Sequence, residues 1–205
     1  MIAYGTTSRD YLTRARALRA NDNPESLLYA ALEIRCGIEA RLHEYLASPA
    51  KVATRRKGLW RIKDLSREVE NVFDVHAKAV VTRFVHPETG EKMKIEYTPV
   101  SPKLRKIGEQ LGEFLHFPAA HKVVSAEFTE RLAAAVDSGI RGLTFATRGT
   151  LLGPPTGAGP NNEEIRLTFE EGRMPSFLKA GVDVKFTMRF ILVGKDKEKV
   201  ILKPD

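Results

Sequence analysis

The residues best suited to chemistry in this chain are basic. Lys51, Arg55, Arg56, Lys57, Arg61 and Lys63 fall between positions 51 and 63, with no acidic residue from Glu44 to Asp64. The one tryptophan of the chain, Trp60, sits among them. Cations grouped in this way can neutralise phosphates, and an indole offers a face on which a base can stack. These seven residues are the candidate nucleic-acid-binding set. A second constellation is Arg35, Glu39 and His43, whose four-residue steps place them on one face of a helix. A guanidinium, a carboxylate and an imidazole in a ridge could hold a phosphate and move a proton. The same spacing also describes a solvated strip of ordinary ion pairs.

The element that must carry Arg35, Glu39 and His43 is the stretch from Pro24 to Leu46. Leu27, Leu28, Ala31, Leu32, Ile34, Ile38, Leu42, Tyr45 and Leu46 recur at three- and four-residue steps, the period of an amphipathic helix. Asn23 is a good N-cap, Pro24 suits the first helical position, and Ser48-Pro49 ends the run. At about 1.5 Å per residue this helix spans roughly 33 Å, enough to cross a small domain.

The rest of the chain reads in order around it. Ser8 to Ala20 predicts a first helix with Ser8 as N-cap, joined to the second by the short turn Asn21–Asn23, so the two should lie antiparallel. Leu59 to Phe73 predicts a third helix. Ala79–Val85 and Met93–Thr98 read as two strands joined by the turn His86–Glu91, a β-hairpin. Ser101 and Pro102 open a further helix with Leu104, Ile107, Leu111, Phe114 and Leu115 inward. Ala126 to Val136 predicts another, while Leu143–Thr147 is ambiguous: Leu143, Phe145 and Thr147 would suit a strand, but they follow Gly139 and Gly142 closely. Gly149–Asn162 is rich in glycine and proline and is expected to be an exposed loop. Beyond it Ile165, Leu167 and Phe169 alternate with polar residues, and Val182, Val184, Phe186, Met188, Phe190 and Leu192 alternate over a longer run, followed by a turn at 194–197 and a short strand near 200–202. So few strands cannot bury a core alone, and they must cover the helices, the hairpin or another chain. The expected fold is therefore α+β: an N-terminal helical bundle over 1–148 with an inserted β-hairpin at 79–98, a Gly/Pro-rich loop at 149–162, and a small antiparallel β unit at 163–205 that packs on the first unit or on a partner.

Several classes of function are excluded or disfavoured. No apolar run approaches the roughly 20 residues of a membrane helix, and the first residues lack a secretory apolar core, so no membrane partner is expected. Cys36 is the single cysteine. It can form neither an intrachain disulfide nor a cysteine zinc site, which points to a reducing, cytoplasmic setting. His116 and His121 have no acidic or cysteine ligand at a metal-binding spacing. Gly153–Gly159 is not a phosphate-binding loop, since no Gly-Lys-Ser/Thr follows it. No cofactor is expected. The net charge of +7 permits a polyanionic partner without requiring one.

The segment DYLTRARALRANDNPESLLYAALEIRCGIEARLHEYL resembles the start of HEPN-type helical proteins, up-and-down bundles common in prokaryotic defence and toxin systems. LRKIGEQLGEFLHF, from Leu104 to Phe117, is similar to the second long helix of such proteins. The resemblance covers residues 8–117 and implies a dimerising bundle. The family's ribonuclease chemistry needs an arginine and a histidine on one helix with four to six residues between them. Here no arginine stands at the matching positions before His43, His76, His86, His116 or His121. The resemblance therefore does not carry that activity over. It implies a non-catalytic binding or scaffold component of an intracellular prokaryotic defence or toxin–antitoxin type system, with a protein partner or a homodimer. The alternative is an RNA-binding protein, or a divergent ribonuclease of this type using Arg35, Glu39 and His43.

Overall fold

The computed structural model describes residues 5–21, 23–47, 61–73, 78–86, 89–116, 125–158, 164–175 and 185–192. Two antiparallel helices begin the fold, α1 (Ser8–Arg19) and α2 (Pro24–Ala47). The cap of α1 is one residue earlier than the spacing predicts. Thr7, not Ser8, closes a capping box with Asp10, each residue's side chain accepting from the other's backbone N–H. Ser8 is instead buried and bonded to α2. Asn23 does cap α2, accepting from the Ser26 N–H.

α2 is the axis of the fold. It packs on α1, on α3 (Ile62–Phe73), on α4 (Pro102–Leu115) and on α5 (Ala126–Ala146). Its buried residues include Leu27, Ala30, Ala31, Ile34, Ile38, Leu42, Tyr45 and Leu46, which together cover more than one narrow stripe. That breadth is what contact with four neighbours requires. The side chains of Leu104, Ile107, Leu111 and Phe114 from α4 and of Leu132, Val136 and Leu143 from α5 complete the core around it. Ser101 and Ser125 cap α4 and α5 as their sequence positions predict.

α5 corrects one expectation. It runs unbroken to Ala146, through the segment that could have been a strand. Gly139 and Gly142 do not break it. They are the points where it approaches its neighbours most closely: a Cβ on Gly139 would lie 2.7 Å from Ile34 Cγ2, and one on Gly142 would lie 2.8 Å from Leu104 Cδ1. The burial gained by that approach outweighs the roughly 1 kcal/mol per glycine of lost helix propensity.

The strands are β1 (Lys78–Val85), β2 (Lys92–Tyr97), β3 (Thr156–Ala158), β4 (Glu164–Arg166) and β5 (Lys185–Leu192). β1 and β2 form the expected hairpin, with Val80 opposite Tyr97 and Phe84 opposite Met93. β5 adds to the other side of β1, so the sheet order is β2-β1-β5, all antiparallel, with Phe190 opposite Val80 and Phe186 opposite Phe84. The inserted hairpin, which lies between α3 and α4 in the chain, is extended by a third strand. It shares one sheet with the C-terminal strand, and Val80, Phe84, Ile95 and Tyr97 join the helical core.

A second correction concerns the Gly/Pro-rich segment. Leu151, Gly153, Pro154 and Pro155 are buried, not exposed. Leu151 bridges to Phe169, and β3 pairs with β4. Proline and glycine here bend the chain closely along the body. The segments at 176–184 and 193–205, with the predicted turn and last strand, lie outside the described residues.

Candidate functional site

Two groups of charged side chains stand out, one buried and one at the surface. The first is a buried hub centred on Arg41, whose side chain is fully buried. Arg41 Nε donates to the Ala146 carbonyl at 3.0 Å and to the Tyr45 hydroxyl at 3.1 Å. Its Nη1 donates to Glu44 at 2.9 Å and lies 3.7 Å from Glu170 Oε2. Tyr45 in turn donates to the Thr98 carbonyl, and the Thr98 hydroxyl accepts from the Gly149 N–H. Glu44 accepts from the backbone N–H and the hydroxyl of Ser8 at 2.7 and 2.8 Å. Arg9 grips Glu170 with two bonds, at 2.8 and 3.0 Å. The hub therefore ties α1, α2, the end of α5, the β2–α4 connection and the 149–170 segment together.

Burial opposes charge on Arg41, but Tyr45 and Glu44 outweigh it and hold the guanidinium ionised. Burial likewise raises Glu170, yet the bond from Arg9 and the nearby charge of Arg41 hold its carboxyl below the ordinary 4.5. A carboxyl with a depressed native pKa contributes stability above its unfolded value and loses it as pH falls through the native one. Glu170→Gln is accordingly expected to be less stable than the native chain at pH 7. Its stability should also change less between about pH 5 and pH 3, as read by urea unfolding at stepped pH. Glu39 works in the opposite sense. Burial raises its carboxyl despite Arg35, so the stability it contributes is full at low pH and lost as pH rises.

The sequence reading missed this hub. The available signal was an arginine and a tyrosine on the apolar side of α2, at positions where core residues should recur. Every donor of Arg41 faces an acceptor of the protein itself, so the hub is structural.

The second group lines a groove of about 540 Å³ between α2, the start of α3 and the end of α4. Arg35, Arg61, Lys63 and His116 line it with Leu32, Ile62 and Leu115, and Glu109 is the acidic residue among the described residues there. The local sequence explains the arrangement. Arg61 sits just before α3 and its carbonyl accepts from the N–H groups of Asp64 and Leu65, which starts the helix and directs Arg61 and Lys63 outward around the buried Ile62. On α4 the glycines lie one turn apart. Gly108 receives Ile62 and Ile38, and Gly112 receives the Arg35 guanidinium, whose Nη1 would collide with a Cβ on Gly112. Arg35 Nη1 also lies 3.5 Å from the Gly108 carbonyl, and its Nε pairs with Glu39 at 3.3 Å.

The basic residues of α1 are disposed differently. Arg9 is held by Glu170, Arg14 pairs with Glu33 at 2.8 Å, Arg19 with Asp137 at 2.8 Å, and Arg16 donates to Thr144. Those cations join helices to one another.

No protein-family model, curated protein or solved structure matches this chain.

The site residues of the sequence reading are thus placed as follows. Arg35, Arg61 and Lys63 come together in the groove, which joins one member of the α2 ridge to two of the basic set. Glu39 pairs with Arg35 but does not line the groove, and His43 is exposed on α2 outside its lining. Lys51, Arg55, Arg56, Lys57 and Trp60 lie outside the described residues. His116, read at first only as a poor metal ligand, is part of the groove. Among the described residues no cluster of three or more His, Cys, Asp or Glu side chains could hold a metal ion, and no helix is long and apolar enough to cross a membrane. Burial and the carboxylates of Glu39 and Glu33 push the Cys36 thiol up, which makes it a poor nucleophile at neutral pH.

Proposed function

We propose that this chain is a non-catalytic RNA-binding protein whose contact surface is the groove between α2, α3 and α4. The observation that carries this reading is the convergence of Arg35 from α2 with Arg61 and Lys63 from the start of α3 on one concave surface with apolar side chains in its lining. Three cations facing one acid at a groove create a positive potential that attracts a polyanion. The sequence just before Arg61 also carries Lys51, Arg55, Arg56 and Lys57. The setting implied by the helical resemblance, a prokaryotic defence or toxin–antitoxin system, is part of the same proposal.

The test is fluorescence anisotropy of a labelled RNA against protein concentration at several salt concentrations. Binding that weakens steeply with salt supports the reading, and binding that is undetectable or indifferent to salt removes it. A sharper check uses Gly112. A Cβ there collides with the free end of Arg35, so the arginine must swing aside while the helix persists. Gly112→Ala is expected to hold or raise thermal stability, by up to about 1 kcal/mol from helix propensity, while weakening RNA binding about 5-fold at 0.1 M salt, as removal of one phosphate contact would.

A second reading has one observation in its favour. Tyr29 and Leu32 are 53 % and 44 % exposed, one turn apart on α2. A protein partner or a second copy of the chain could cover them, which is the scaffold role that the resemblance implies.

A further inference from the structure

We infer that the groove takes single-stranded rather than duplex RNA, with one base laid against Tyr29 and Leu32 and the adjoining phosphates held by Arg35, Arg61 and Lys63. This rests on the RNA-binding reading above and deepens it. Leu32 both lines the groove and is exposed at its mouth, and Tyr29 is its neighbour one helical turn away. Tyr29, Leu32 and Met174 are the large apolar side chains exposed among the described residues. Two of the three therefore stand one turn apart on α2, and one of them, Leu32, lines the groove with the cations.

Such side chains next to a basic site have a use with a single strand and none with a duplex. A duplex keeps its bases stacked inside and presents phosphates on a broad convex rim, and the minor groove of an RNA helix is met by shape and by ribose contacts. It cannot bring a base to a cleft of about 540 Å³, a volume within the range that holds a small molecule. A single strand can splay a base out of its stack. The base then covers an apolar wall otherwise left to water, and its ring lies on an aromatic face. The wall is present as Leu32 and the half-buried Leu115, and the aromatic face as Tyr29, one turn from Leu32 on α2.

The experiment measures the affinity of the full chain, by anisotropy at two salt concentrations, for three probes of about 12 nucleotides: a single-stranded RNA, the blunt duplex of the same sequence, and the single strand carrying abasic residues. Circular dichroism confirms that the variants Tyr29→Ala and Tyr29→Phe are folded, as expected for an exposed side chain. The single strand should bind at least about 10-fold more tightly than the duplex or the abasic strand. Tyr29→Ala should remove most of that preference and leave the salt slope unchanged, and Tyr29→Phe should keep it. Equal affinity for all three probes, with a steep salt slope, overturns this inference and leaves the RNA-binding reading standing. No binding to any probe overturns both. A self-association lost in Tyr29→Ala, with no preference among the probes, also overturns the inference and gives the patch to a second copy of the chain.

Discussion

Arg41→Met is expected to cost about 3–5 kcal/mol of folding stability, the range for removing one partner of a buried charge pair. For a chain of this size that corresponds to a fall in melting temperature of about 6–20 °C. The expectation follows from the saturation of the hub. Arg41 is fully buried, and it satisfies the Ala146 carbonyl, the Glu44 carboxylate and the Tyr45 hydroxyl at once. Methionine fills much of the same volume but donates nothing. Glu44 would keep its bonds from Ser8 while losing its charge partner, and Glu170 would keep its bonds from Arg9 while losing the nearby charge of Arg41. Arg41→Lys should also lose much of the stability, because an ammonium is a point charge and cannot reproduce the planar fork. Arg41→Met combined with Glu170→Gln should cost less than the sum of the two single changes, because each disturbs the same network. Thermal and urea unfolding read all of these, and a loss below about 1 kcal/mol for Arg41→Met would show that the hub is not what holds the 149–170 segment to the helices.

The second large effect is on binding. The triple variant Arg35→Ala, Arg61→Ala, Lys63→Ala is expected to flatten the dependence of log affinity on log salt by about 2, since each phosphate contact on a single strand contributes about 0.7. At 0.1 M salt the same counterion release amounts to roughly 100-fold in affinity. Stability should fall far less than for Arg41→Met, because the groove cations are exposed or half-buried and an ion pair at such a site, as between Arg35 and Glu39, contributes about 1 kcal/mol or less. The two predictions thus separate the charged groups by role: Arg41 moves the melting temperature, and the groove cations move the affinity.

Local structure was legible in the sequence wherever one residue's chemistry decides it. Asn23, Ser101 and Ser125 cap helices because their side chains satisfy backbone N–H groups that the helix leaves open. The alternation of Met93, Ile95 and Tyr97 marks a half-buried strand, and β2 is one. Pairing was not legible. The alternation along β5 says which residues share a face but not that β1 is the neighbour. Gly139 and Gly142 left the 143–147 stretch undecided, and their role as contact points appears only when α2 and α4 are in place. Leu151–Pro155 read as solvent loop from composition, yet the segment is held against the body by the bridge to Phe169 and by the hub.

The site shows the same division. A basic stretch around Arg61 and Lys63 is visible in the sequence, as is Arg35 on a helical ridge. That they face one groove depends on α3 docking against α4 through Ile62 and Gly108. The spacing of Arg35, Glu39 and His43 suggested a catalytic ridge. The structure spends Glu39 on Arg35 and leaves His43 outside the groove lining, so the arginine's relevant neighbours come from another helix.

The most direct test of RNA binding at the groove is the salt dependence of affinity for a single-stranded RNA, measured side by side for the native chain and for the Arg35, Arg61, Lys63 triple variant at equal thermal stability. A steep slope in the native chain that flattens by about 2 in the variant is the expected result. Identical slopes for the two proteins, or no binding by the native chain, would contradict it.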